Sequence, residues 1–182
     1  MTVRWLPFLL RPDEPRDGTP KAPDTPDNRR VGVRLKQAGS SVGIDFTGMT
    51  DRSPNTIEAH ALLDFALQHE QQGGADAVGL QNRLMEVLFR QYFTDGIYPD
   101  AIALRAAAEE VGLNVDAAMA FCGDESNWEV IRKADLGYKQ AGIQGVPYFV
   151  VNGAGVFSGA QPPTELVTAF EEAYTDSSDE ED

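Results

Sequence analysis

The chain has 182 residues, 42% of them hydrophobic, enough for one domain with a substantial core. Lys and Arg number 15 against 29 Asp and Glu, a formal net charge of -14. That charge argues against nucleic acid and against an anionic membrane surface as partners, because both need clustered cations. The single cysteine, Cys122, excludes an internal disulfide and makes a reducing, cytoplasmic compartment the default.

Taken in chain order, Val3 to Leu10 is apolar on both faces and rich in strand formers, the pattern of a buried, parallel-type strand. Its apolar run is too short for a membrane span. Pro7 inside it, and Arg11-Pro12 after it with no small-residue cleavage site, exclude a signal peptide. Arg11 to Asn28 is dense in Pro, Asp and Gly and reads as a loop. Arg29 to Val42 reads as a helix weakened by Gly32 and Gly39, and Ile44 and Phe46 anchor an extended return.

Ser53-Pro54-Asn55-Thr56 is a helix start. Ala59, Leu62, Leu63, Ala66 and Leu67 then recur at helical spacing until Gly73-Gly74. Leu80, Leu84, Val87, Leu88 and Tyr92 form one stripe of a second helix. Pro99 and Asp100 open a third, closed by Gly112. Asn114 caps a fourth that ends near Cys122. Ser126 or Asn127 starts a fifth that runs to Ala141, with Gly142 as its stop.

The pattern then changes. Gly145-Val146-Pro147 leads into the β-rich run Tyr148 to Val151. Asn152-Gly153 is a hairpin signal, because both residues tolerate positive φ. Gly155 to Ser158 is the return strand. Pro162-Pro163 opens a last helix carrying Leu166, Val167, Phe170 and Tyr174. Residues 176–182 form an acidic tail without apolar residues, expected to be disordered. Strand, helical block, hairpin and helix pack most naturally as one mixed sheet covered by helices.

Several stretches carry a family resemblance. Val3-Arg4-Trp5-Leu6-Pro7-Phe8 with Leu10 and Pro12 is one. Ser53-Pro54-Asn55-Thr56 with Ala59-His60 is another, and Phe89-Arg90-Gln91-Tyr92-Phe93 a third. Gly145-Val146-Pro147-Tyr148-Phe149-Val150-Val151, a hairpin and Ser158-Gly159-Ala160-Gln161 complete the set. In order and spacing they resemble the DsbA family, more narrowly its FrnE-like branch, from about Val3 to about Tyr174. Gly-Val-Pro alone would be common; the series is not.

The resemblance implies an α/β, thioredoxin-like mixed sheet with an inserted all-helical subdomain. Residues 1–28 are then the N-terminal strand and loop of the thioredoxin-like domain. Residues 29–141 are the helical insertion and connecting helix, and 142–175 the closing strand, hairpin and helix. It also implies thiol–disulfide oxidoreduction, in which a low-pKa cysteine attacks a substrate disulfide and its neighbour resolves the mixed disulfide. The family's Cys-x-x-Cys stands at the N-terminus of the first helix, which favours the thiolate. Here Met1 falls just before what resembles the second strand. The chain is therefore read as N-terminally truncated, without catalytic residues of its own and inactive in that reaction. In such a sheet the first strand lies between the second strand and the hairpin, so Val3–Leu10 would have to pair with the hairpin directly or the sequence is an incomplete copy.

On the same resemblance Pro147 is cis, and Val146 offers its N–H and C=O to an extended ligand, as in strand addition. For an arbitrary Val-Pro the reading would be a trans proline at a strand start. Ser158, Gly159 and Gln161 are either a turn with a helix cap or an anion cradle at a helix N-terminus, near where glutathione-using relatives hold a carboxylate. Asn55 is a helix-start residue, with ligand contact as the competing reading. His60 reads as part of a polar helix face rather than an acid–base group. Cys122 reads as a small apolar helix residue, its thiolate disfavoured by Asp124 and Glu125. Trp5 and Trp128 read as core. Cys122, His60 and His69 form no metal-ligand spacing.

Three functions compete. One is a DsbA-like oxidoreductase acting on a thiol- or disulfide-containing peptide or small molecule, without cofactor. A second is a glutathione-dependent protein like 2-hydroxychromene-2-carboxylate isomerase or the kappa-class transferases. The third is a noncatalytic module that binds extended peptides beside Pro147.

Overall fold

Capping chemistry sets the helices. A computed structural model of the protein describes residues 2–73 and 78–178. It divides into two compact units, Met1–Ala134 and Asp135–Asp182.

The first unit contains β1 (Thr19–Pro20), α1 (Val33–Ser41), β2 (Arg52–Ser53), α2 (Ile57–Gln72), α3 (Leu80–Phe89), a π-helical turn (Arg90–Thr94), α4 (Ala101–Glu110) and α5 (Val115–Gly123). The unit boundary falls within α6 (Glu125–Gln140). Before α2, the Asn55 side chain accepts the Ile57 N–H at 3.0 Å. Asp100 accepts the N–H groups of Ile102 and Ala103, both at 2.9 Å, and Asn114 that of Ala117 at 3.0 Å. Each such cap contributes about 1 kcal/mol.

The other three starts are made differently. At α3 the exposed donors are satisfied from outside: the Glu70 carboxylate of α2 accepts the N–H groups of Gly79 and Gln81 at 2.9 and 3.1 Å. At α6 the cap is Asp124, which accepts the Ser126 N–H at 2.9 Å, rather than Ser126 or Asn127. Ser126 holds the Asp124 carboxyl below the usual carboxylate range. Helix α1 starts at Val33 instead of Arg29, after Gly32 in extended conformation.

Packing follows the expected stripes. Leu80, Leu84 and Val87 of α3 are buried against a core that includes Ile57, Leu62, Leu63, Phe65, Leu104, Leu113, Trp128 and Ile131. Ala61, Ala66, Ala107, Ala108 and Ala118 are fully buried, so the helices approach closely. Gly18, at φ 72°, packs against the Ser53 carbonyl and Tyr98, beside the β1–β2 ladder.

Val3–Leu10 is not assigned as a strand among the described residues; Leu9 is buried, while Val3, Leu6 and Leu10 are exposed. A side chain pairs with the backbone at Trp5. The Gln81 amide accepts the Trp5 N–H and donates to the Trp5 carbonyl, both at 2.9 Å. Its Nε2 also reaches the Leu63 carbonyl at 3.2 Å. The Trp5 indole donates to Asn82 at 2.9 Å and meets Phe89 edge-on. Extended backbone must satisfy its polar groups somewhere, and at Trp5 helix α3 does so.

The second unit holds the end of α6, β3 (Tyr148–Val151), β4 (Ala154–Ser158) and α7 (Pro163–Ser178). Asn152 and Gly153 take φ of 47° and 84° and turn the hairpin, as expected of Asn-Gly. Tyr148 pairs with Ser158, Phe149 with Phe157 and Val151 with Ala154, with an irregularity between Phe149 and Val150. The Asn152 side chain donates to the Ala173 carbonyl of α7 at 3.1 Å. Helix α7 continues to Ser178, so residues 176–178 of the expected tail are helical, and 179–182 lie outside the described residues. The described ladders are β1–β2 in the first unit and β3–β4 in the second, both antiparallel. Within Val3–Leu10 the Trp5 backbone bonds to Gln81 of α3. No helix among the described residues is long and apolar enough to cross a membrane.

Candidate functional site

The second unit brings together most of the residues singled out from the sequence. Gly145-Val146-Pro147 is irregular backbone leading into β3, and the Val146–Pro147 peptide is cis. The Pro147 carbonyl accepts the Gly159 N–H at 2.8 Å, which carries the hairpin pairing one step beyond Ser158. Gly159 sits at φ 89°, a conformation glycine adopts without penalty. The Gln161 side chain donates weakly to the Gly159 carbonyl, at 3.4 Å. Pro147, Ser158, Gly159 and Gln161 are therefore neighbours. Val146, beside them, is 44% exposed. Among the described residues, neither its N–H nor its C=O is hydrogen-bonded.

The start of α7 suits an anion poorly. Pro162 and Pro163 have no N–H to donate, and Glu165 in the first turn adds like charge. This favours the turn-and-cap reading of Ser158 to Gln161 over an anion cradle.

The remaining residues belong to the first unit. Asn55 is engaged at the α2 start: besides capping Ile57, its amide donates to the Glu14 carbonyl at 2.6 Å. The His60 Nδ1 donates to the Thr56 carbonyl at 2.7 Å, one turn back on α2. Trp128 is core, and its indole donates to the Cys122 carbonyl at 2.6 Å. Trp5 is only half-buried. Among the described residues no group of His, Cys, Asp and Glu is arranged to hold a metal ion.

Cys122 is 2% exposed. Burial first, and Glu58 second, push its thiol from an ordinary 9.0 up to about 12. Asp124 and Glu125, expected to disfavour the thiolate, are not the cause; Asp124 is turned to the α6 start. The native thiol should resist iodoacetamide near neutral pH and react rapidly in denaturant. Rapid labelling of the native chain would overturn the assignment. The pH effect on stability has a definite sign. Below pH 9.0 the thiol is neutral in both states; between there and about 12 only the unfolded chain releases its proton. Stability therefore falls through that window as pH rises, more steeply than in Cys122→Ala.

Gln81 escaped notice as a structural residue. Its signal was a lone amide beside an apolar stripe, which marks a polar residue that buries only if partnered.

Three comparisons bear on identity. The family model described as DSBA-like thioredoxin domain matches residues 1–171. Among solved structures, a probable DsbA oxidoreductase from Streptomyces coelicolor is similar, with a TM-score of 0.74 and 25% identity over 92% of this chain and 73% of that one. No curated protein matches the chain. With the hairpin, the Pro147 loop and the helical block in the family's order, the chain belongs to the DSBA-like thioredoxin domain family and has its thioredoxin-like α/β fold.

Proposed function

We propose that this chain supplies the substrate-binding surface of a DsbA-type thiol–disulfide oxidoreductase of the FrnE-like branch, acting in the cytoplasm. We further propose that residues 1–182 by themselves complete no dithiol–disulfide cycle. The family match over residues 1–171 supports the DsbA-type part of this reading. Cys122 carries the second proposal: an intramolecular cycle needs two thiols, and this one is alone in the sequence, buried and protonated.

The surface centres on Val146. Its backbone N–H and C=O can pair with an extended thiol- or disulfide-containing peptide, as a strand adds to an edge. Pro147, Ser158 and Gly159 form the neighbouring wall, with Gln161 at its end. No cofactor enters this reading.

The test is amide-resolved NMR of the isotope-labelled chain titrated with a disulfide-bearing peptide, alongside an insulin-reduction assay. The expected result is a shift of the Val146 and Gly159 amides with insulin reduction at the background rate. Unmoved amides would remove the binding proposal, and turnover above background would remove the second. Retention on glutathione resin with shifts at Ser158 and Gln161 would replace both with the glutathione-dependent reading.

A further inference from the structure

The chain has one stretch whose charge opposes the rest. From Asn28 to Ile44 there are four cations, Arg29, Arg30, Arg34 and Lys36, and no acid, in a chain of net charge -14. Arg30 is used internally, donating to the Ala22, Gly48 and Met49 carbonyls at 3.1, 3.4 and 3.3 Å. Arg29 lies a loose 3.8 Å from Asp24. Arg34 and Lys36 are exposed, and among the described residues neither forms an ion pair.

Helix α1 sits in this stretch and lacks the usual supports. It has nine residues, no side-chain cap and no acid in its first turn. Helices this short are marginal in water and owe their stability to a buried face. Here only Gly39 is buried, against the Phe46 ring and the Ile44 carbonyl. Val33 is 68% exposed, Leu35 48% and Val42 65%. Beside the helix is a recess of about 250 Å³ lined by Asp24, Arg29, Val31, Val33, Lys36 and Thr47. Two of its polar groups are already engaged: Asp24 accepts the Arg30 N–H at 3.0 Å and Thr47 donates to the Thr94 carbonyl at 2.9 Å. The rest of the lining is Val31, Val33, Arg29 and Lys36, so that two cations face the one carboxylate, Asp24.

We propose that residues 29–44 are a docking surface for an acidic, apolar polypeptide segment of a partner protein. Its aliphatic side chains cover Val33, Leu35 and the recess, and its carboxylates meet Arg29, Arg34 and Lys36. Charge complementarity selects the acidic partner, and the exposed aliphatic side chains select polypeptide over nucleic acid. The proposal is independent of the Val146 surface.

The test uses the whole chain and fluorescence anisotropy. The probe is a labelled synthetic peptide of alternating Glu and Leu, and the control has Lys in place of Glu. The Glu peptide binds, with affinity falling as salt rises. The double variant Arg34→Glu, Lys36→Glu binds it at least about tenfold more weakly and gains affinity for the Lys peptide. Unchanged far-UV circular dichroism and melting of that variant show that folding is not the cause. Equal binding of both peptides by the parent chain would overturn the proposal. So would displacement of the Glu peptide by an oligonucleotide of equal charge. A salt-sensitive dimer in sedimentation that Arg34→Glu, Lys36→Glu dissolves would give the surface to a second copy instead and also overturn it.

Discussion

Leu104→Ala lowers the unfolding free energy by about 3 kcal/mol, within the roughly 2–5 kcal/mol typical of buried leucines. Leu104 is fully buried on α4, in a row with Ala103, Ala107 and Ala108. Those alanines hold the neighbouring helices close and have no side chain that could swing into the space left behind. The cavity therefore stays open, and its cost adds to the lost transfer free energy. Ile102 is the internal control: it is two positions away on the same helix and 80% exposed. Ile102→Ala should change stability by no more than about 0.5 kcal/mol. Urea unfolding followed by far-UV circular dichroism measures both. Comparable losses in the two variants would mean that the assigned faces of α4 are wrong.

Gln81→Leu should cost about 2–4 kcal/mol and free the Trp5 backbone. The substitution keeps the side-chain volume close and removes three hydrogen bonds: two with the Trp5 backbone and one with the Leu63 carbonyl. Gln81 is 1% exposed, so the groups it leaves are poorly reached by water, and unsatisfied buried polar groups lose their full solvation. Gln81→Glu separates the two halves of the contact, since it keeps an acceptor for the Trp5 N–H and loses the donor. Hydrogen exchange at the Trp5 amide is the direct readout. Gln81→Leu should accelerate it strongly and Gln81→Glu much less. Unchanged protection in Gln81→Leu would show that the segment is held by Leu9 and the Trp5 ring rather than by the amide.

The candidate surface around Pro147 was legible by resemblance more than by local chemistry. Val-Pro in an arbitrary chain points to a trans peptide, whereas the peptide here is cis. Gly159 bonding back to Pro147 is a contact between residues twelve apart, set by the hairpin register. That Glu165 and two prolines spoil the α7 start as an anion site could have been read directly from Pro162-Pro163-Thr164-Glu165. The basic stretch from Arg29 to Lys36 was equally visible as charge, but its lack of cover was not, because exposure depends on what else packs there.

What the sequence determined alone was the local hydrogen bonding and the cysteine count. Asp100 and Asn114 cap helices and Asn152-Gly153 turns the hairpin as expected, since each bond links residues a few positions apart. The stripe Leu80, Leu84, Val87 needed only the helical period. A chain with one cysteine has no internal disulfide in any fold. Tertiary structure alone decided the fate of Val3–Leu10, the burial of Cys122 and the use of Gly39. Extended backbone takes its partners from elsewhere in the chain, and at Trp5 that partner is the Gln81 amide. Gly39, a weak helix former by propensity, is where α1 meets Phe46, because a Cβ there would clash. These outcomes rest on contacts between distant residues, which no window of the sequence contains.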